Sequence, residues 1–442
     1  MKDIRMTYTD TDIFLSTYIL TFFRMTGIYV YERVECEDAQ MQKLMRYPEV
    51  SFDIEIFILN DSDSKFEIPP DAIVISMGKK ESGRLNRNDD IIYLKANDSP
   101  KTCMKKLLEH LCESYDQFGM EKGCLLYLLE LYDQNHIMET ILGTRFFAPD
   151  QDIYREVCVN YSSAVQKIYE LNCDESKFLM FSYVYLAYEY NYYCKRLNEV
   201  FLYDVNSILD ILNDLASGSD EQWNDLDLLY AQVYDDLLGK YREASVYYAK
   251  AAEKDYNAFA CYKMGNIWKG KYRDPITALK YFTKAAYINP IYYRAIYKMA
   301  ECYVSLQNIE EAKRQYMRIV QILQIRCSKQ ILRPMEIEYL YKTYKNLAKI
   351  ERNDYNNING AISYYENAVY LWNQIYDTQD DFCSGFKNAI RKTSSDIFNK
   401  QYKLLKEKLK ISQIYDNLCT LYSQISNQEK AKIYEELLKK EG

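Results

Sequence analysis

EASVYYAKAA (residues 243–252), TALKYFTKAA (277–286) and EAKRQYMRIV (311–320) begin 34 residues apart. Each carries an alanine (Ala244, Ala278, Ala312) and, four residues on, an aromatic (Tyr248, Phe282, Tyr316). Three residues further stand Ala251, Ala285 and Ile319. Such spacings fall on one face of a helix. Upstream, each unit has a bulky residue followed by a small one: Tyr230-Ala231, Met264-Gly265, Met299-Ala300. An aromatic follows three residues later: Tyr234, Trp268, Tyr303. The unit is thus two helices. Small residues let the helices approach closely, and the aromatics fill the space beside them. One helix pair cannot bury such a face, so neighbouring pairs must stack.

The stretch 225–321 resembles the tetratricopeptide repeat, whose period is 34; the second unit, with Gly265, Gly270 and Asp274, is also similar to the related Sel1 repeat. Asp274-Pro275 reads as an N-cap with proline at the first helical position. Asn308 with Glu311, and Ser426 with Glu429, read as capping boxes. Beyond Gln321 the pattern breaks. Ile325–Pro334 reads as irregular, and Ala361, Tyr365 and Ala368 resume the second-helix pattern 49 residues after Ala312. Cys419, Tyr422 and Ala431 mark a last unit.

At 442 residues, with 48% hydrophobic and 27% charged positions, the chain has the composition of a globular protein of more than one unit. Its 13 glycines and 8 prolines favour long helices over many turns. The 46 tyrosines read as packing residues standing in for leucine and phenylalanine. The net charge of −8 argues against a nucleic-acid partner. The 12 cysteines form no CxxC pair, which points to reduced thiols in the cytoplasm. Ile13–Phe23 is apolar but too short to cross a membrane, and Asp10 and Asp12 do not suit a signal peptide.

Residues 1–98 read differently. Strands are expected over Asp3–Thr9, Ile28–Val34, Phe52–Leu59, Ala72–Met77 and Asp90–Leu94, with a helix over Asp12–Met25 ended by Gly27. Strands alternating with helical segments predict a parallel sheet. The expected fold is therefore a small α/β domain (1–98), a helical connector or diverged repeats (99–220), and an all-α tetratricopeptide-type superhelix (221–442). Lys400–Lys410 reads as a solvated helix face.

Several constellations in residues 1–98 invite chemistry. Asp10, Asp12, Asp61, Ser76 and Lys95 occupy places comparable to the Mg²⁺ and phosphoryl site of receiver domains. The opening Asp3–Asp12, its helix and Tyr29–Glu32 resemble a TIR domain, which would imply action on NAD. The interval from Asp61 to Ser76 leaves no room for the usual helix, and Glu67 precedes two prolines. GKKESGR (78–84) lacks the lysine and hydroxyl of a P-loop. His110 and His136 have no metal spacing and no nucleophile context. No cofactor, metal or catalytic residue is assigned.

Repeat arrays bind peptides or proteins on the face made by their first helices. That register predicts exposed partner-binding residues Tyr262, Asn266 and Lys269 on one first helix, and Arg294, Tyr297 and Glu301 on the next. The expected protein is a cytoplasmic, non-enzymatic scaffold for a protein or peptide partner, not bound to membrane. The alternatives are a sensor–effector whose N-terminal domain acts on a nucleotide such as NAD, and a peptide-responsive regulator.

Overall fold

The computed structural model describes residues 4–9, 13–35, 42, 47, 52–59, 68–69, 71–76, 91–93, 98–119, 121–138, 151–171, 176–217, 226–254, 257–329, 334–374 and 405–441. The described residues up to Ile267, together with 287–290, form one compact unit. Trp268–Ala286 and the described residues from Ile291 onward form a second. The divisions expected at 98/99 and 220/221 both fall inside the first unit.

The first unit opens with a five-stranded, wholly parallel sheet. Its strands are β1 (Ile4–Thr9), β2 (Val30–Glu35), β3 (Ile54–Leu59), β4 (Ile73–Ser76) and β5 (Ile91–Tyr93), in the order β2-β1-β3-β4-β5. The register aligns Ile4 with Val30 on one side and with Ile54 on the other. Near-continuous apolar runs such as IEIFIL form β3 because a parallel sheet is covered on both faces. Helix α1 (Ile13–Met25) packs on β1 and β2 and ends at Gly27, whose φ of 80° only glycine adopts freely.

Helices follow, and no strand occurs after Tyr93 among the described residues. They are α2 (Pro100–Ser114), α3 (Lys122–Gln134), α4 (Gln151–Glu170), α5 (Lys177–Leu197), α6 (Val205–Ser217), α7 (Leu226–Gln232) and α8 (Tyr241–Lys254). Helix α7 runs on as a π-helical turn, Val233–Leu237. The fully buried Phe22 of α1 meets Tyr132 of α3 edge-on, and Ser182 of α5 donates to the Met25 carbonyl at 3.1 Å. Sheet and helices thereby share one core.

The helices continue with α9 (Ala258–Gly270), α10 (Pro275–Ile288), α11 (Tyr293–Ser305), α12 (Ile309–Lys329), α13 (Pro334–Asn353), α14 (Ile358–Gln374), α15 (Ser412–Gln424) and α16 (Gln428–Glu441). In the second unit α11 packs with α12, α13 with α14 and α15 with α16, and each pair rests on the next. Ala278, Phe282, Ala285, Ala312, Ile319, Ala361 and Ala368 have no exposed surface, as the repeat pattern requires.

The structure corrects three local expectations. The stretch Ile325–Pro334 is not wholly irregular: α12 reaches Lys329 and α13 begins at Pro334. Helices α12 and α13 have 21 and 20 residues against 14 and 13 for α10 and α11, which stretches the repeat. The hidden first-helix pair of that long unit is Leu347-Ala348, both with no exposed surface. Ser426 is not the cap of α16. It has a left-handed φ of 61°, and the Asn427 side chain accepts from the Lys430 N–H at 3.2 Å instead. Lys406 and Lys408 are not merely solvated: Lys406 lies 3.9 Å above the Trp372 ring and Lys408 pairs with Glu338 at 2.8 Å.

The Asn427 turn is one of a set. Arg273, Gln307, Asn356 and Ser426 all have positive φ, and each precedes an Asp or Asn that caps the next helix. The cap N–H reaches back to close the turn, Asn308 to the Tyr303 carbonyl at 2.9 Å and Asn427 to that of Tyr422 at 2.9 Å.

Candidate binding site

A cavity of about 480 Å³ opens in the second unit. Successive first helices build it: the end of α9 supplies Lys269, α11 supplies Tyr297, Glu301 and Ser305, and α13 supplies Asn346, Lys349 and Asn353. Ile309 and Tyr316 of the second helix α12 complete one wall, and Asp354 stands at the end of α13. A side chain recurring every third or fourth position of a first helix therefore reaches the same space.

Its floor is held by tyrosines. Tyr297 meets Tyr316 edge-on at 5.6 Å and Tyr339 of the next first helix at 5.1 Å. The Asn346 amide donates to the hydroxyls of Tyr297 and Tyr316, each at 3.0 Å. Burial, then the negative charge of Glu301, pushes the Tyr297 phenol up to about 12, so it stays a neutral hydrogen-bonding group at physiological pH.

The cavity carries charges of both signs. Glu301 pairs with Lys269 and, at 2.9 Å, with Lys298. Burial alone would raise its carboxyl, but the hydrogen bonds from the two lysines carry it below its ordinary value. Lys349 and Asp354 line the cavity as a further cation and anion. Neutral donors and acceptors between fixed charges of both signs suit a peptide chain, which presents amides and mixed side chains.

Three of the six residues expected to bind a partner, Lys269, Tyr297 and Glu301, are brought together here. Their exposure was misjudged. Tyr297 is 7% exposed and Tyr262 5%, while Asn266 and Arg294 are half-buried. The ring of Tyr297 is occupied by packing against Tyr339, so the cavity receives little but its edge and hydroxyl. Tyr262 and Asn266 belong to the first unit, and Arg294 is not in the cavity wall. The register argument missed Asn346, Lys349 and Asn353, because the unit holding them is stretched out of period.

The other constellations fall largely outside the described residues. Ser76 ends β4. Asp10, Asp12, Asp61, Glu67, Lys95 and residues 78–84 lie outside the described residues. His110 meets Ser114 of its own helix at 3.5 Å, and His136 sits in a left-handed turn after α3. Among the described residues no group of three or more His, Cys, Asp or Glu is placed to hold a metal, and no helix is long and apolar enough to cross a membrane.

The chain thus folds as a small parallel α/β sheet followed by an array of helical repeats like those of tetratricopeptide proteins. No family model and no curated protein matches its sequence. Solved structures are similar to it in fold. A tetratricopeptide-containing protein from Cytophaga hutchinsonii matches at 13% identity and a TM-score of 0.35, over 61% of this chain and 92% of that one. The type IV pilus biogenesis factor PilW matches at 15% and 0.33, over 58% and 91%. Human IFIT1, solved as a dimer with PPP-AAAA, matches at 13% and 0.32, over 77% and 85%. IFIT1 has also been solved as a dimer with m7Gppp-AAAA, at the same 13% identity.

The exclusion of nucleic acid drawn from the net charge of −8 is withdrawn; IFIT1, among the similar solved structures, was solved with PPP-AAAA and with m7Gppp-AAAA. A net charge averages over the whole surface, whereas a polyanion responds to local clusters. The row Lys342, Lys345 and Lys349 on α13 is such a cluster.

Proposed function

We propose that the second unit is a docking module that takes an extended segment of a partner protein into the cavity between α11, α12 and α13. The observation that carries this reading is the convergence of Lys269, Tyr297 and Glu301 with Asn346 and Asn353 around one space of about 480 Å³. A rigid, pre-formed wall spares the bound state the ordering of its own side chains. Asn346 fixes both tyrosine hydroxyls, and Glu301 fixes both lysines, before any ligand arrives. The protein acts in the cytoplasm in this reading, in keeping with 12 cysteines that include no CxxC pair and with the free thiols among the described residues.

The test is photo-crosslinking in the native host. A benzophenone amino acid replaces Ser305 or Asn353, both exposed at the cavity, or the exposed Val246 of α8 as control. One partner protein crosslinked from both cavity positions and not from Val246 is expected. Crosslinks from Val246 alone would move the interface elsewhere.

A second reading concerns the sheet. The order β2-β1-β3-β4-β5 reverses direction between β1 and β3, and open parallel sheets bind nucleotides at the carboxyl ends flanking such a reversal. In that reading residues 1–98 act on a nucleotide, and chromatography of NAD incubated with the protein tests it.

A further inference from the structure

Lys342, Lys345 and Lys349 recur at spacings of three and four, which align them on one face of α13. A fourth lysine joins from another segment. Lys345 donates to Gln413 Oε1 at 3.0 Å, and the Gln413 N–H donates to the Lys410 carbonyl at 3.2 Å. Lys345 is half-buried between these neighbours. Burial, then the charges of Lys349, Lys342 and Lys410, hold its ammonium below the ordinary lysine value.

The row is poorly compensated. Lys342 pairs with Glu338 at 2.6 Å, and Lys408 shares that carboxylate at 2.8 Å. Lys345 has the neutral Gln413 and lies 5.8 Å from the Tyr341 ring. Lys349 makes no ion pair among the described residues and reaches the cavity wall. Like charges at these helical spacings oppose folding. An arriving anion converts that repulsion into attraction.

We propose that the row Lys342, Lys345, Lys349 and Lys410 binds acidic side chains of a peptide segment whose neighbouring residues enter the cavity. The inference rests on the docking reading above and adds the chemistry of the ligand. Within the cavity charges of both signs balance and give a continuous polyanion no net attraction, while Asn346, Asn353 and the tyrosine hydroxyls match neutral peptide groups. The ligand is therefore acidic at one end and neutral at the other. A phosphodiester chain, charged at every step, fits the row but not the cavity.

Fluorescence anisotropy decides it with three labelled probes: a glutamate block joined to a serine-asparagine stretch, the same peptide with glutamine for glutamate, and oligoadenylate. The parent should bind the glutamate peptide and not its glutamine counterpart. Lys345→Glu/Lys349→Glu should weaken binding about tenfold or more, whereas Lys345→Arg/Lys349→Arg should keep it. Circular dichroism verifies each variant, and the reversal relieves repulsion, so the fold is expected to hold. Equal affinity of parent and reversal variant overturns the proposal. So does oligoadenylate binding tighter than the peptide and lost in the reversal variant, which would assign the row to nucleic acid. The two readings separate cleanly. Crosslinks at Ser305 and Asn353 with no glutamate-peptide binding refute the acidic ligand alone. Peptide binding that survives Ser305→Trp/Asn353→Trp supports the lysine row and refutes the cavity.

Discussion

Asn346 of α13 donates its side-chain amide to the Tyr297 hydroxyl of α11 at 3.0 Å, and reaches Tyr316 of α12 at the same distance. One residue thus ties three helices at the wall of the cavity. Asn346→Ala should destabilise the protein by roughly 1–3 kcal/mol, since it leaves two hydroxyls without their donor. Urea unfolding checks this. In a cycle with Tyr297→Phe, the two losses should be non-additive by about 0.5 kcal/mol or more.

The repeat alanines should resist enlargement. Ala312 has no exposed surface where α12 meets α11. Ala312→Leu should cost about 1–3 kcal/mol through overpacking, visible as a lowered melting temperature. A melting temperature equal to the parent's would mean that the close approach of these helices is not what sets the period.

Packing explains which parts were legible in the sequence. The alanine–aromatic period could be read because close helix contact admits few residues at those positions. Parallel strands could be read from unbroken apolar runs such as IEIFIL. Leu347-Ala348 could not, because two long helices moved it out of register. Tyr297 was read as exposed because tyrosine serves both roles: its ring packs on Tyr339 while its hydroxyl meets the cavity. The cavity itself was hidden because it depends on residues as distant in sequence as Lys269 and Asp354. The caps Asp274 and Asn308 were visible, whereas Asn357 and Asn427 were not, nor was the left-handed φ of the residue before each.

The turns give a prediction of opposite signs at adjacent positions. Gln307 has a φ of 59°, so Gln307→Gly should stabilise by about 1 kcal/mol, relieving the left-handed strain. Asn308 accepts from the Glu311 N–H at 3.2 Å, so Asn308→Ala should destabilise by about 1 kcal/mol. Thermal unfolding of the two variants distinguishes backbone strain from lost capping.

Glu301 sets a pH dependence. Its folded carboxyl lies below the ordinary value of 4.5, so it contributes stability above that pH. The contribution is lost as pH falls below 4.5 through the depressed folded value. Glu301→Gln should therefore melt below the parent at neutral pH, and the gap should close on acidification. Melting curves from neutral to acid pH check the sign. A gap that widens in acid would contradict the ion-pair assignment with Lys269 and Lys298.

The central claim is that the cavity between α11, α12 and α13 receives the partner. Calorimetry of the crosslinked partner against the parent and against Ser305→Trp/Asn353→Trp tests it most directly. Both positions are exposed, so the indoles should fill the cavity mouth without disturbing the fold. The account predicts that the filled variant binds about tenfold or more weakly. Equal affinity in a variant with the parent's circular dichroism would contradict it.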